Sequence, residues 1–401
     1  MLKSAEYLCG MASKIKNSAS FGPSLRLGVL GGGQLGRMMI QSAVDFDARV
    51  EVMDPSADAP CRFLTHRFVQ GDLNDADAVE KFGSGLDCLT IEIEHVSVEG
   101  LRRLEAQGVR VIPKPDHLAI IQDKGLQKQF FADHGIPTSP FQLIADANEV
   151  GAMGFPIVQK MRKGGYDGKG VKVLKNVADA SKAFQSPSLL EKAVRIHKEL
   201  SVIVARNSMG ETQCFPVVEA VFDPVANLVD YLIAPADISI EEAQTAERIV
   251  IQVAECMEFE GLLAVELFLD TEGHIVVNEV APRTHNSGHH TIEANITSQF
   301  EQHLRTVLDL PLGSTAPVHP VGAMVNVVGA ADARGLPDYR GIDAALATEG
   351  VHPHLYGKSQ VKPFRKMGHV TITGETRQEV IERMMRIREQ LAVEGKPTPT
   401  E

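Results

Sequence analysis

The 401-residue chain reads as a multidomain protein of mixed α/β and α+β class. Three observations predict this. The chain is longer than one ordinary hydrophobic core can serve. Its first part alternates strand-like and helix-like runs, the pattern of a parallel sheet covered on both faces. From about residue 119 that alternation gives way to longer strands, a Gly-rich stretch and a hairpin-like pair, an α+β texture.

Taken in order, residues 25–30 form an apolar strand that breaks at Gly31-Gly32-Gly33, and a helical stretch follows from Gln34 to about Phe46. A second strand at 49–53 ends at Asp54-Pro55, and further short strands are expected at 88–91 and 109–112, before the prolines 113 and 115. A helix opens at Asp123-Lys124 and stops near Gly135, and a strand at 157–160 runs into the Gly-rich stretch 163–170. Strands at 199–206 and 215–221, a helix at 240–258 and the hairpin pair 263–269 and 274–280 complete the middle. Short strands after about Leu312 and a last helix near 377–393 close the chain. The expected division is a terminal extension at 1–24, a parallel-sheet domain at 25–118, a central domain at 119–312 and a small strand-rich domain at 313–401.

Composition narrows the function. Lys and Arg number 40 against 52 Asp and Glu, a net charge of −12, which argues against non-specific nucleic-acid binding. Small anionic ligands need only a few local cations. The five cysteines are scattered without a CxxC or Cys/His cluster, so reduced thiols are expected rather than a disulfide framework or zinc site. Residues 1–24 contain no long apolar run, and neither a secretory signal nor a membrane span is expected. A cytoplasmic setting is the corresponding expectation.

Four motifs carry chemistry. Gly31 to Gly36 fits GxGxxG after a strand, with Asp54 near a ribose-binding position. The pattern specifies close approach of backbone to an anion at a helix N-terminus, which suits a dinucleotide, a substrate phosphate or simply a tight turn. Lys163-Gly164-Gly165-Tyr166-Asp167-Gly168-Lys169-Gly170 combines four glycines with flanking lysines, a loop able to fold its N–H groups over polyphosphate. Glu266 and Glu279 lie in otherwise apolar hairpin strands, where a carboxylate is costly unless paired or metal-bound. An even loop would put both on one face, as a Mg2+ site; an odd loop without a bulge would separate them. Two edge glutamates facing water is the plainer alternative. Finally, Arg283, His285 and Asn286 crowd a polar run leaving that strand, placed to bind an oxyanion.

Taken together, the segments 31–37, 92–96, 164–170, 278–289 and 356–369 resemble the ATP-grasp enzymes, and specifically the N5-carboxyaminoimidazole ribonucleotide synthetase family. The resemblance implies a Rossmann-like (pre-ATP-grasp) domain, a central ATP-grasp domain and a small C-terminal strand-rich domain, assembled as a homodimer. It implies ATP with Mg2+, or Mn2+ in its stead, and a reaction in which bicarbonate and 5-aminoimidazole ribonucleotide give N5-carboxyaminoimidazole ribonucleotide through carboxyphosphate. Nucleotide binding would then fall to Lys124, Lys160, Gly165, Tyr166, Asp167, Gly168, Glu191, Val194, Glu199 and Asn278, and metal binding to Glu266 and Glu279. Gly33, Gln34, Leu35, Glu94, Tyr166, Asp167, Lys358 and Arg365 would hold the ribonucleotide, while Arg283, His285, Asn286 and Lys358 would serve the chemistry. Two positions depart from the family pattern: Phe222 stands where a histidine is frequent, and Lys169 where an arginine is. Another ATP-grasp carboxylate–amine ligase, or an NAD-binding oxidoreductase resting on the glycine fingerprint, are the competing readings.

Overall fold

The computed structural model describes residues 24–165, 170–223 and 228–397. Strands Arg26–Leu30, Arg49–Asp54, Arg67–Gln70, Cys88–Ile91 and Arg110–Ile112 form a parallel sheet in the order third, second, first, fourth, fifth. The first strand is buried on both faces, as a central parallel strand must be. Leu27 and Val29 pack with Met38 and Met39 of helix Gln34–Val44, while Leu30 packs with Phe82 and Leu89 on the other side. Strand order reverses between the first and fourth strands, so a crevice opens beyond their C-terminal ends. The Gly31-Gly32-Gly33 turn and Glu92 both leave from that point.

A four-stranded antiparallel sheet follows, from Phe141–Ile144, Ser188–Lys192, Ile157–Met161 and Val171–Leu174. Nine further strands build one sheet that runs across residue 312, because Leu228–Ala234 pairs antiparallel with Val321–Val328. Helix Ile240–Cys256 begins at a capping box made by Ser239 and Glu242. Its Ala246, Ile249, Val250 and Val253 pack against Val202, Val204, Leu263 and Val265 of the sheet. Each such Val or Ile side chain contributes roughly 1.5–3 kcal/mol when fully buried. Helix Arg377–Gln390 covers the later strands through Val380, Met384 and Ile387.

Three details differ from expectation. The last helix ends at Gln390 rather than 393, and Ala392–Lys396 becomes a strand paired with Leu336–Arg340, burying Val393. The strand expected at 215–221 is Val218–Asp223, since Pro216 offers no N–H to the ladder. The short strand Arg67–Gln70, half-exposed at the sheet edge, carried no alternation to announce it.

Helix Gln299–Val307 fastens the parallel sheet to the rest. His303 meets Thr90 at 2.8 Å, both fully buried, and Arg110 donates to the carbonyls of Val307 at 2.9 Å and Thr306 at 3.1 Å. Burial pushes His303 down to about 4, and His290, also buried, down to about 4. In the unfolded chain both return to roughly 6.5. Between those values the unfolded state binds more protons, so stability is complete above about 6.5 and falls as pH drops toward 4. Going from pH 7 to 5.5 should cost about 1 kcal/mol per histidine. Urea titrations at the two pH values check this, and His303→Gln should remove its share; equal stability of the parent chain at both would contradict the burial argument.

Candidate active site

The hairpin of Gly261–Asp270 and Ile275–Ala281 pairs Leu269 with Ile275, Phe268 with Val276 and Leu267 with Val277. Residues 270–274 therefore form an odd loop, and continuing that register would set Glu266 opposite Asn278, with Glu279 on the far face. A bulge after Val277 takes up one residue, and Glu266 pairs with Glu279 instead. The two carboxylates thus share a face. The extra residue is also used: Asn278 Oδ1 accepts from Lys160 Nζ at 2.7 Å, and its amide donates weakly to Glu266 at 3.4 Å.

Cations converge on this face from two other elements. Lys124, the first residue of helix Lys124–Asp133, pairs with Glu279. Lys160 lies on the smaller sheet, and Glu191 of the neighbouring strand is clasped between Lys160 and Lys128, at 2.6 Å from each. Burial and the charge of Glu279 push Glu266 upward, out of the usual carboxylate range. Burial also works against ionised Glu279, but Lys124 and Lys160 outweigh it and hold this carboxyl low. Lys160 and Lys128 likewise hold buried Glu191 below its ordinary value. Two facing carboxylates, one already against an ammonium and the other reluctant to ionise without a partner, are a donor set that fits a hard divalent cation.

At the parallel-sheet end, the glycine turn is occupied by the protein itself. Glu92 is partly buried, its Oε1 accepts from the Leu35 N–H at 3.2 Å, and the Gly33 N–H also favours its charged form. Burial raises its pKa while those N–H groups and Arg283 oppose the rise. Asp54 accepts from the N–H of Gly32 at 2.7 Å and of Ser56 at 2.7 Å. The carboxylate of Glu92 thus holds the helix N-terminus that a dinucleotide pyrophosphate would need, and Asp54 is engaged by its own loop. This weighs against the NAD reading and against a ligand phosphate on the Leu35 N–H.

One cleft of about 890 Å³ joins these groups. It is bordered by Gly33, Gln34, Leu35, Glu94, Gly165, Lys124, Glu266, Glu279, Arg283, His285, Asn286, Lys358 and Arg365, thirteen of the expected site residues. Arg283 and Glu94, expected to serve different substrates, form an ion pair at 2.7 Å. His285 is pushed down to about 3 by burial and by the charges of Arg283 and Lys366, so it is a neutral group at pH 7. Lys358 donates to the Lys366 carbonyl at 2.5 Å, and Arg365 to the Gln360 carbonyl at 2.6 Å. Lys160, Glu191 and Asn278 stand one layer behind the lining, and the Glu191 carboxylate serves the lysines. Glu199 borders a side pocket with Phe222, Glu266 and His285. Val194 is half-buried just past strand Ser188–Lys192, away from the lining. Tyr166, Asp167, Gly168 and Lys169 lie outside the described residues.

The sequence reading did not single out Glu92, Lys128 or Lys366 as site residues. Glu92 lies in a quoted segment, but only the fold shows that its side chain fills the glycine turn. The three atoms nearest to an ideal Cβ on Gly33 all belong to Glu92, the closest being Oε1 at 2.4 Å. Gly33→Ala should therefore cost roughly 1–3 kcal/mol in urea unfolding. The same change in a Glu92→Ala background should cost less than about half of that, because its clash partner is gone. Equal costs in both backgrounds would refute this packing.

Family models match the chain in three consecutive stretches: a ribonucleotide synthetase preATP-grasp domain over residues 25–122, an ATP-grasp domain over 129–300, and a phosphoribosylaminoimidazole carboxylase C-terminal domain over 322–383. The N5-carboxyaminoimidazole ribonucleotide synthase of Synechococcus elongatus is 38% identical, over 89% of this chain and 91% of its own. The chloroplastic phosphoribosylaminoimidazole carboxylase of Vigna aconitifolia is 39% identical over 87% of this chain, which spans 64% of that longer protein. Among solved structures, N5-carboxyaminoimidazole ribonucleotide synthetase from Thermotoga maritima superposes with a TM-score of 0.86 at 40% identity, covering 93% of this chain and all of that one (100%). The Aspergillus clavatus enzyme, solved with ADP and 5-aminoimidazole ribonucleotide, gives 0.83 at 30% identity, covering 91% and 98%. With its identity and coverage spread over all three domains, the chain belongs to the N5-carboxyaminoimidazole ribonucleotide synthetase family of ATP-grasp enzymes.

Proposed function

We infer that this chain is an ATP-dependent ligase that carboxylates 5-aminoimidazole ribonucleotide with bicarbonate, giving N5-carboxyaminoimidazole ribonucleotide, ADP and phosphate in purine biosynthesis. The observation that carries this reading is the single cleft bordered by the paired carboxylates, the polar run 281–289 and the cations of the C-terminal domain. Lys124 holds the nucleotide phosphates from the cleft lining, and Lys160 adds positive charge to them from the layer behind. Asn278 and Glu191 keep the Lys160 ammonium in place. Glu266 and Glu279 would hold Mg2+, which would supply neutralisation of phosphate charge and Lewis-acid polarisation there. A bicarbonate oxygen attacks that phosphorus, the bond to ADP breaks, and carboxyphosphate forms. Arg283, neutral His285 and Asn286 surround its oxygens with donors, the kind of preorganised electrostatic stabilisation that lowers such barriers.

Carboxyphosphate then yields CO2 and phosphate. The exocyclic amine of the ribonucleotide forms the new N–C bond, and the proton it loses is carried off by the released phosphate. Lys358 and Arg365 hold the ribonucleotide phosphate, with Glu94, Gln34, Tyr166 and Asp167 on the rest of the substrate. Because Glu92 caps the glycine turn, Gly33, Gln34 and Leu35 contact the uncharged part of that ligand rather than its phosphate. The active unit is a homodimer working in the cytoplasm.

ADP release by the purified chain with Mg-ATP and bicarbonate should be strongly stimulated by 5-aminoimidazole ribonucleotide, with bicarbonate-dependent loss of its free amine. Glu279→Gln should lower turnover by about 100-fold or more, the scale of removing one charged transition-state partner. Turnover indifferent to the ribonucleotide would overturn the substrate, and an active Glu279→Gln would overturn the metal site.

A further inference from the structure

Gln299 is fully buried, and its amide is clamped by one backbone residue. Its Oε1 accepts from the His285 N–H at 2.8 Å, and its Nε2 donates to the His285 carbonyl at 2.7 Å. Flipping the amide would break both bonds, so its NH2 orientation is fixed. The same Nε2 lies 3.1 Å from Nδ1 of His289. That ring nitrogen must accept, and a neutral imidazole with an accepting Nδ1 carries its proton on Nε2. His289 is fully enclosed, and burial first, with the charge of Lys366 adding to it, holds it far below the ordinary histidine range, hence neutral. Gly288 is what admits the clamp, since an ideal Cβ there would stand 2.5 Å from Gln299 Oε1.

Among the described residues, Nε2 of His289 is buried without a hydrogen-bond partner. The rings of His369, Phe300 and Tyr356 pack around it at centroid distances of 4.7, 5.8 and 6.5 Å. His289 also stands among the residues bordering the cleft, with Arg283, His285, Asn286 and Lys366. An unmet buried donor is destabilising, and a ligand oxygen would relieve it.

We propose that His289 is a further substrate-contacting residue, whose Nε2–H donates to an anionic oxygen bound in this cleft. The proposal rests on the function inferred above. Two oxygens share the required chemistry: one on the ribonucleotide phosphate, and one on bicarbonate-derived carboxyphosphate. A neutral donor with a fixed tautomer adds direction without adding charge to a region that already holds several cations.

The test uses the full chain with His289→Phe, which keeps a ring but no donor, and His289→Gln, whose amide nitrogen can occupy the Nε2 position. The Phe variant should lose about 30-fold or more in kcat/KM for the ribonucleotide, with the Gln variant recovering at least about fivefold of that. If only the KM for the ribonucleotide rises while bicarbonate-dependent ADP release without it is unchanged, the acceptor is the ribonucleotide phosphate. If that release falls in parallel, the acceptor is carboxyphosphate. A Phe variant within about threefold of the parent, or Phe and Gln variants of equal activity, overturns the proposal. Nitrogen NMR of histidine-labelled chain supplies an independent readout. His289 should be the Nε2–H tautomer when ligand-free, and its Nε2 resonance should shift on adding 5-aminoimidazole ribonucleotide, or inorganic phosphate with Mg-ADP. An Nδ1–H tautomer, or no shift with any of these, overturns it. A parent chain without ribonucleotide-stimulated turnover would instead defeat the inferred function, leaving the NMR result to decide the donor.

Discussion

One inserted residue in one strand sets the polarity of the whole site. The bulge at Asn278 reverses the side-chain parity of the hairpin, and only because of it do Glu266 and Glu279 face the same way. The other face of the hairpin is fixed by burial, since Val265, Leu267 and Val277 are all in the main core. A slip by one residue would drive both carboxylates into that core, at a cost of several kcal/mol per charge. Apolar packing therefore holds a polar arrangement that it never touches. The lysines follow from it: Lys124 has a partner in Glu279, and Lys160 has Asn278 to rest against.

The parallel sheet solves a related problem with the opposite sign. A glycine turn leading into a helix N-terminus is an anion site by construction. Here the anion is Glu92, delivered from the neighbouring strand of the same sheet. The glycines make room for a side chain of the protein rather than for a cofactor. A single element can thus keep the outward form of a dinucleotide fingerprint and lose its ligand. Arg283, within reach of Glu92's field and paired with Glu94, ties that end of the cleft to the polar run after the hairpin.

Much of this was legible beforehand, for physical reasons that differ by element. The central parallel strands, Arg26–Leu30 and Cys88–Ile91, announce themselves because both faces are buried and the runs are mostly apolar. The hairpin glutamates stand out because a carboxylate among Val, Leu and Phe needs a reason. Their common face was not decidable, since parity depends on a bulge that leaves no mark in composition. Glu92, Lys128 and Gln299 were invisible for a similar reason: each acts through a partner far along the chain, at Leu35, Glu191 and His285. The strand Ala392–Lys396 was hidden in the tail of a helical pattern, because its one buried side chain, Val393, fits either periodicity.

The nine-stranded sheet has a bearing on how the molecule can be divided. Strand Leu228–Ala234 is completed by Val321–Val328, which comes from the far side of the boundary expected near residue 312. A chain ending at that boundary would leave the backbone of Leu228–Ala234 as an open edge, with Leu232 and Ile233 uncovered. Such an edge is a template for pairing with other chains, so the central part made alone would tend to aggregate rather than fold cleanly. For the same reason Lys358 and Arg365 are not carried by a tethered module free to swing. They lie in the loop that joins Val351–Leu355 to Lys366–Gly374, two strands of the same sheet that carries the carboxylates across the cleft.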